Sequence, residues 1–295
     1  MNFLSRLGPA ILAITWACSA LAEGKLPVVA SFSVLGDLVR VVGGERVDVQ
    51  TLVGPDQDAH VFEPSPSDVK KVAQSRLLVS NGLGFDSWMD KLARSAAYKG
   101  TVVVASSGVL TKKSAEENGH DDPHAWQDPT KVITYVRNIS AALAKADPSG
   151  AAIYQRNASA YQAELVQLDS WAKVQFALIP LAKRKIITSH DAFGYLGARY
   201  QISFLAPQGV STDSEASAKE VALLIRQIKR EKIKAVHVEN MTNTRLLEQL
   251  SREAGVTAGA TLYSDALSAQ GGPADSYLKM MHYNITQLVQ SMKLN

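Results

Sequence analysis

Three histidines and one aspartate each follow a predicted β-strand. They lie in the local sequences DAHVFEPSP, DPHAWQDP, TSHDAFGY and LYSD, and they are His60, His124, His190 and Asp265. The carboxyl ends of parallel strands line a common crevice in open α/β sheets, so the four side chains can converge there. Three imidazoles and one carboxylate from separate loops suit a tetrahedral divalent ion. We therefore predict a metal site formed by these four residues.

The donor atoms of this set indicate which ion would bind. Imidazole nitrogen is a borderline-soft ligand that matches zinc, whereas manganese, calcium and magnesium favour more oxygen ligands. Zinc also stands above manganese in the general order of affinity for such sites. The predicted ion is therefore Zn²⁺, and Mn²⁺ remains the alternative because the supply of each ion also decides which one is bound.

Other histidines fit the predicted site less well. His237 lies in the middle of a predicted strand, where an inward side chain is usually structural, and His282 lies on the last predicted helix. His120 is followed by Asp121 and Asp122 at the end of the polar segment 111–122. These three residues are either solvated or capture ions before the main site does.

Short β-branched runs alternate with segments of helical periodicity along the chain. A first set of predicted strands is followed by a second set, at 26–30, 47–53, 76–80 and 101–105, then 185–189, 202–205, 234–238 and 257–262. Strands that alternate with helices form mostly parallel sheets. The predicted fold class is α/β, with two lobes that each contain a four-stranded, mostly parallel sheet.

A segment without strand signals separates the two sets. Asp147 and Pro148 supply an N-cap and a proline at the first helical position, and no glycine follows Gly150 until well beyond 179. We predict one long helix from about 149 to 179, roughly 45 Å long at ~1.5 Å per residue. Such a rigid connection disfavours large hinge closure. The predicted organisation is a signal peptide at 1–22, an N-terminal lobe at 23–147, a linking helix at 148–180 and a C-terminal lobe at 181–295.

The first 22 residues are typical of a secretory signal. Arg6 precedes a short apolar stretch, and Ala20-Leu21-Ala22 fits the small-x-small rule before a cleavage point. We predict cleavage after Ala22 and a periplasmic protein. Cys18 offers the alternative of a lipoprotein signal with a lipid on that cysteine, although residues 14–17 match the usual Leu-small-small run poorly. Cys18 is the one cysteine of the chain, so a chain cut after Ala22 has no thiolate ligand for a metal.

The charge balance bears on the class of partner. The chain has 31 lysines and arginines against 28 aspartates and glutamates. This near balance gives no electrostatic footprint for a polyanion. Nucleic acid is therefore excluded as a predicted partner.

The motifs around the four candidate ligands resemble those of the metal-binding solute-binding proteins of bacterial ABC importers. This group includes zinc and manganese receptors and related lipoproteins. The resemblance runs from about Leu26 to Leu288, and its most specific parts are 58–66, 122–129 and 189–195. It implies two α/β lobes joined by a long helix, an ion in the cleft between them and a membrane permease as partner.

The resemblance also bears on the choice of ion. The third ligand position in this family holds histidine or glutamate, and His190 at that position implies zinc or mixed zinc and manganese use. Zinc receptors of the family often have a long histidine-rich loop before the second ligand. This chain has only His120 in a short acidic version of that loop, which departs from the zinc pattern.

We therefore predict an extracytoplasmic solute-binding protein that captures Zn²⁺ between two lobes and delivers it to the permease of an ABC importer. The protein is predicted to act as a monomer, with loading by a metallochaperone left open. A secreted zinc hydrolase is an alternative of another class, because three histidines with an open fourth position can activate water. An adhesion protein braced by a metal is a further alternative. Asp265 would close the fourth position and no HExxH motif is present, so the chain is not predicted to be an enzyme.

Overall fold

A computed structural model describes residues 24–114, 119–214, 217–242, 245–256 and 258–295. The predicted signal peptide and the cysteine within it lie outside the described residues. Among the helices that the structure describes, none combines the length and apolarity needed to span a membrane.

The N-terminal lobe is a four-stranded parallel sheet covered by helices. Its elements are β1 (Leu26–Phe32), α1 (Ser33–Gly43), β2 (Val47–Val53), α2 (Pro66–Gln74), β3 (Leu77–Ser80), α3 (Trp88–Ser95), β4 (Thr101–Val104) and α4 (Pro129–Ala146). The strand order is β2-β1-β3-β4, and every neighbouring pair is parallel. The four predicted strands of this lobe are confirmed to within two residues at each end.

Two helices of this lobe begin at the capping residues that the sequence contains. Ser65 and Asp68 form a capping box at the start of α2, with Pro66 in the first turn. The Asp128 carboxylate accepts a hydrogen bond from the Thr130 N–H at the start of α4. These starts matter for function because the loop before α2 contains His60 and the loop before α4 contains His124.

A single long helix, α5 (Ala151–Ala177), joins the lobes. It buries one stripe of side chains, namely Tyr154, Ala158, Tyr161, Leu165, Leu168, Ala172 and Phe176. Helix α5 packs against α1, α4 and the last helix of the chain. The predicted long helix is confirmed, and it is two residues shorter at each end than the predicted span 149–179. The lobe limits at 147/148 and 180/181 stay a prediction.

The C-terminal lobe has shorter regular strands than the sequence predicts. Its elements are β5 (Lys185–Ile187), α6 (Gly194–Tyr200), β6 (Ser203–Leu205), α7 (Ala218–Glu231), α8 (Arg245–Ala254) and α9 (Tyr277–Met292). Strands β5 and β6 are parallel, and two further segments continue the parallel sheet through the isolated bridges Ile187–Val236, Val236–Ala258 and Glu239–Leu262.

A β-bulge explains why the last two segments do not form regular strands. The Gly259 N–H donates to the Val236 carbonyl, and the Leu262 N–H donates to the Val238 carbonyl. The chain therefore advances three residues on one segment while it advances two on the other, which is the extra residue of a bulge. The imidazole Nδ1 of His237 lies 2.7 Å from the carbonyl oxygen of Ala260, which this bulge takes out of the ladder.

One hydrophobic core extends through both lobes. It runs from the strands of the first sheet through the buried stripe of α5 to the buried face of α9. Helix α7 closes a smaller separate cluster on the outer side of the second sheet. The two lobes are therefore joined by shared apolar packing as well as by a covalent connection.

Candidate metal centre

His60 lies on the loop between β2 and α2, and a short turn sets its position. The Asp58 carboxylate oxygen Oδ1 accepts a hydrogen bond from the His60 backbone N–H at 2.9 Å. The edge of the Phe85 ring lies against the imidazole, with 4.7 Å between ring centroids. His60 is less deeply buried than the other residues of the cluster described below.

His124 lies at the end of the loop before α4, where the same turn recurs. The Asp122 oxygen Oδ1 accepts a hydrogen bond from the His124 N–H at 3.0 Å and lies 2.9 Å from the His124 Nδ1. His124 is fully buried, with its ring edge-on to Trp126. The Asp122 carboxylate thus orients both the backbone and the ring of this histidine.

His190 follows β5 and is held by an acidic residue from the neighbouring segment of the sheet. The Glu239 oxygen Oε1 accepts hydrogen bonds from the backbone N–H groups of Ser189 and His190, at 2.8 and 3.0 Å. The other oxygen of Glu239 lies 2.7 Å from the His190 Nδ1. Both His190 and Glu239 are buried.

Asp265 follows the last segment of the second sheet, and residues of the first lobe hold its loop. The carbonyl oxygen of Ser264 accepts hydrogen bonds from Trp126 Nε1 at 2.9 Å and from Gln127 Nε2 at 2.7 Å. The Tyr277 hydroxyl donates in turn to the Trp126 carbonyl at 2.7 Å. Contacts across the cleft therefore set the position of this carboxylate.

The structure brings the four predicted side chains together at one point between the lobes. The Asp265 carboxylate lies 3.2 Å from His60 Nε2, 3.6 Å from His124 Nε2 and 3.0 Å from His190 Nε2. One ligand atom from each residue lies within 4.8 Å of the other three. A tetrahedral ion with bonds of about 2.0–2.1 Å would hold its ligand atoms roughly 3.4 Å apart. The cluster therefore has the size of a site for one small divalent ion.

The polar atoms that face the centre have no other partner. Within the described residues, the Nε2 atoms of the three histidines and both oxygens of Asp265 are buried without an aligned hydrogen bond. Buried polar atoms without a partner cost folding free energy, and native proteins contain few of them. Five such atoms converging on one point are the expected arrangement of a metal site.

Charge interactions within the cluster shift two pKa values in opposite directions. Burial alone would raise the pKa of Asp265, but attraction to His190 and His124 outweighs burial and holds it well below its ordinary value. Burial alone would lower the pKa of His190, but Glu239 and Asp265 raise it well above the ordinary histidine value. The cluster is thus strongly attractive to positive charge.

The remaining histidines and acidic residues lie outside the cluster. His237 is buried against the Ala260 carbonyl, and the exposed His282 contacts the Trp171 ring at a tilted angle, with 4.3 Å between ring centroids. His120 and Asp121 line a cavity of about 330 Å³ that reaches His60. Their predicted role in pre-capture of ions stays a prediction.

Sequence reasoning did not find the two carboxylates that orient the histidines. Glu239 is distant from His190 in sequence, and only the pairing of neighbouring segments brings it close. The sequence does contain a pattern that could have revealed Asp122. Asp58 and Asp122 each precede a histidine by two residues, and each carboxylate accepts a hydrogen bond from the backbone N–H of that histidine.

Comparisons with known proteins agree with the fold. The family described as zinc-uptake complex component A, periplasmic, matches residues 28–291. The metal ABC transporter substrate-binding lipoprotein SloC of Streptococcus mutans is 31% identical over 287 residues, which cover 94% of each chain. The manganese-binding lipoprotein MntA of Halalkalibacterium halodurans is 32% identical over 267 residues, covering 90% of this chain and 88% of that protein.

A solved structure has the same architecture. The periplasmic zinc binding protein TroA from Treponema pallidum superposes with a TM-score of 0.87 at 28% identity, covering 91% of this chain and 99% of that one. Two lobes joined by a long helix are therefore the architecture of this chain. The relatives are substrate-binding proteins of transporters, which supports a role other than that of an enzyme.

The relatives correct one prediction from the sequence. The curated relatives are named lipoproteins, which are anchored to a membrane by a lipidated cysteine. The prediction of a periplasmic protein cut after Ala22, with lipid anchoring at Cys18 less favoured, is therefore wrong, while the location outside the cytoplasm is supported. The poor match of residues 14–17 to the usual motif misled the prediction.

The match over nearly the whole chain, the shared architecture and the buried cluster of three histidines and one aspartate lead to one conclusion. The chain belongs to the zinc-uptake component A family of metal-binding solute-binding proteins of ABC importers.

Proposed function

We propose that this protein captures Zn²⁺ in the cleft between its lobes and delivers it to the membrane permease of an ABC importer. His60, His124, His190 and Asp265 are the proposed ligands. The single observation that supports this proposal most strongly is the set of five buried polar atoms that face one point without an aligned hydrogen bond. Three of these atoms are nitrogens, which favours zinc over harder ions.

The proposed ligands have distinct parts in capture. His124 and His190 each have a carboxylate beside Nδ1, so their rings are held in place before the ion arrives. His60 borders the cavity that leads to the site and has no such carboxylate among the described residues. We infer that the ion meets His60 first and is then enclosed by Asp265 and the other two imidazoles.

Manganese is the alternative cargo, and the relatives give a specific reason to test it. Three curated relatives are named for manganese and one for iron, whereas the TroA structure is named for zinc. Selectivity between these ions depends on geometry and supply as well as on affinity. The experiment must therefore compare both ions directly.

The test is a competitive titration of the purified, metal-stripped protein with Zn²⁺ and with Mn²⁺, beside the variants His60→Ala and His282→Ala. We expect one tight Zn²⁺ per chain, little displacement by excess Mn²⁺, and a severe loss of affinity in His60→Ala. His282→Ala removes an exposed histidine that contacts the Trp171 ring, and this variant is expected to bind like the wild type.

Each other result has a defined meaning. Tight Mn²⁺ that resists displacement by Zn²⁺ would reassign the cargo to manganese. Equal losses in His60→Ala and His282→Ala would contradict the ligand assignment. A wild-type protein that binds neither ion tightly would overturn the proposed function.

A further inference from the structure

We infer that Glu239 is a positioning residue, which keeps a proton on the Nδ1 atom of His190 and so leaves Nε2 free to bind the ion. This inference rests on the proposed function and deepens it, since it concerns how one of the proposed ligands is prepared. Glu239 itself does not face the centre of the cluster, because its carboxylate lies on the opposite side of the His190 ring from Asp265.

Three N–H groups converge on the Glu239 carboxylate. Its oxygen Oε1 accepts hydrogen bonds from the backbone N–H groups of Ser189 and His190, at 2.8 and 3.0 Å. Its oxygen Oε2 lies 2.7 Å from His190 Nδ1, although off the axis of an ideal N–H bond. At this distance a carboxylate oxygen and an unprotonated nitrogen would repel each other. The proton therefore belongs on Nδ1.

An amide at position 239 could not satisfy all three groups. With its oxygen toward the two backbone N–H groups, its NH₂ group would face Nδ1 and favour the tautomer with the proton on Nε2. With the amide turned over, its NH₂ group would oppose both backbone donors. A carboxylate accepts on both oxygens, so it is the group that fits this position.

The carboxylate beside His124 provides an internal comparison. The Asp122 oxygen Oδ1 accepts the His124 N–H and faces the His124 Nδ1, so a single oxygen makes both contacts. The other oxygen is buried without a hydrogen-bond partner among the described residues. An amide can therefore replace Asp122 with its oxygen still in the working position, whereas it cannot replace Glu239 in that way.

The burial of Glu239 supports a specific role. Its exposure is 1%, and in the described part of the chain no lysine or arginine forms an ion pair with it. A buried carboxylate without a cationic partner is costly to keep. The partners it does have are the two backbone donors and His190.

The test compares matched acid-to-amide substitutions, Glu239→Gln and Asp122→Asn. Zn²⁺ affinity is measured by competition with a chromophoric chelator after circular dichroism has checked that each variant is folded. We expect Glu239→Gln to weaken Zn²⁺ binding by roughly 10- to 100-fold, the usual effect of losing a partner behind a ligand histidine. Asp122→Asn is expected to weaken binding at least several-fold less. Equal losses in the two variants would overturn the inference.

A second measurement reads the tautomer directly and needs no variant. Long-range ¹H–¹⁵N NMR of the Zn²⁺-loaded wild type should show His190 protonated at Nδ1 and bound to the ion through Nε2. A His190 bound through Nδ1 would overturn the inference while leaving the proposed function intact. A wild type with no tight Zn²⁺ in the titration would overturn the proposed function and this inference with it.

Discussion

At the scale of single residues, the site attracts cations strongly, and in the metal-free protein protons compete with the metal ion for its histidine nitrogens. The raised pKa of His190 favours the imidazolium form, which carries a proton on Nε2 as well as on Nδ1, when no ion is bound. An arriving ion must displace the Nε2 proton, because a ring nitrogen that carries a proton has no lone pair for a metal. Ion binding and proton release are therefore coupled in this cluster.

We expect ion affinity and the stability of the metal-free protein to change with pH in opposite directions. Zn²⁺ affinity should rise from about pH 6 to pH 8 as protons leave the histidines. The stabilisation from the raised pKa of His190 is complete below the unfolded pKa of about 6.5 and is lost as pH rises through the folded pKa. The melting temperature of the metal-free protein should therefore fall over the same pH range.

Two measurements check this expectation. Calorimetry of Zn²⁺ binding in two buffers with different ionisation enthalpies should show net proton release near neutral pH. Thermal unfolding of the metal-free protein at several pH values measures the predicted fall in melting temperature. Zn²⁺ binding without proton release, together with a flat melting temperature, would contradict the coupling.

The convergence of the four side chains could be predicted because each of them follows a strand of a parallel sheet. His60, His124, His190 and Asp265 meet at the carboxyl ends, as the general rule for such sheets requires. The partners of the histidines were harder to predict. Glu239 reaches His190 only through the pairing of two segments about 50 residues apart in the chain, and local sequence contains no information on that pairing.

At the scale of elements, an ion-pair network fastens the long helix to the C-terminal lobe. Asp169 on α5 accepts two hydrogen bonds from the Arg199 guanidinium, at 2.9 and 2.7 Å, and one from the Tyr200 hydroxyl at 3.0 Å. Lys173 lies 2.8 Å from the same carboxylate. Burial opposes ionisation of Asp169, but these partners outweigh it and lower its pKa to about 2.

Asp169→Asn is expected to reduce the free energy of unfolding by roughly 1–2 kcal/mol at pH 7. This loss is smaller than the lowered pKa of Asp169 alone would imply, because solvent screens the partly exposed Arg199 and Lys173. The lowered pKa stabilises the protein above the unfolded pKa of about 4, and this contribution is lost as pH falls toward about 2. Urea unfolding of the metal-free protein at neutral pH measures the loss. Glu164→Gln, an exposed acid on the same helix, serves as the control and should have little effect. A loss no larger than in that control would refute the network's contribution.

Helix positions were more predictable than the strands of the second sheet. Capping residues such as Ser65 and Asp128 mark helix starts through local hydrogen bonds, which the sequence shows directly. The bulge near Ala260 depends instead on how two segments align. There the His237 imidazole, and not a neighbouring strand, lies within hydrogen-bond distance of the Ala260 carbonyl. Alternation of apolar residues cannot reveal an extra residue in one segment, so the sequence predicted longer strands there.

At the scale of the whole molecule, polar contacts across the cleft hold the loops around the site together. The Thr212 hydroxyl donates to the Asp58 oxygen Oδ2 at 2.7 Å, and the Asn240 amide donates to Asp56 Oδ1 at 2.8 Å. Asp58 also holds the backbone of His60 through its other oxygen. The contact between Thr212 and Asp58 therefore links the second lobe to one proposed ligand.

Thr212→Val is expected to release Zn²⁺ several-fold faster while leaving the global free energy of unfolding within about 1 kcal/mol of wild type. The variant keeps the side-chain shape and removes the hydrogen bond to Asp58. Stopped-flow mixing of the loaded protein with excess chelator measures the release rate. Thr286→Val is the matched control, since its hydroxyl bonds only within helix α9 in the described structure. Equal release rates in the two variants would show that the cleft contact does not retain the ion.

The shared hydrophobic core has a consequence for the rate of import. Because α5 and α9 pack both lobes into one core, separating the lobes would expose apolar surface, and we expect empty and loaded molecules to keep nearly the same outline. A permease that meets both forms then finds similar surfaces on each. Empty copies should compete with loaded ones for the transporter, so import would depend on the ratio of loaded to empty protein as well as on the amount of metal.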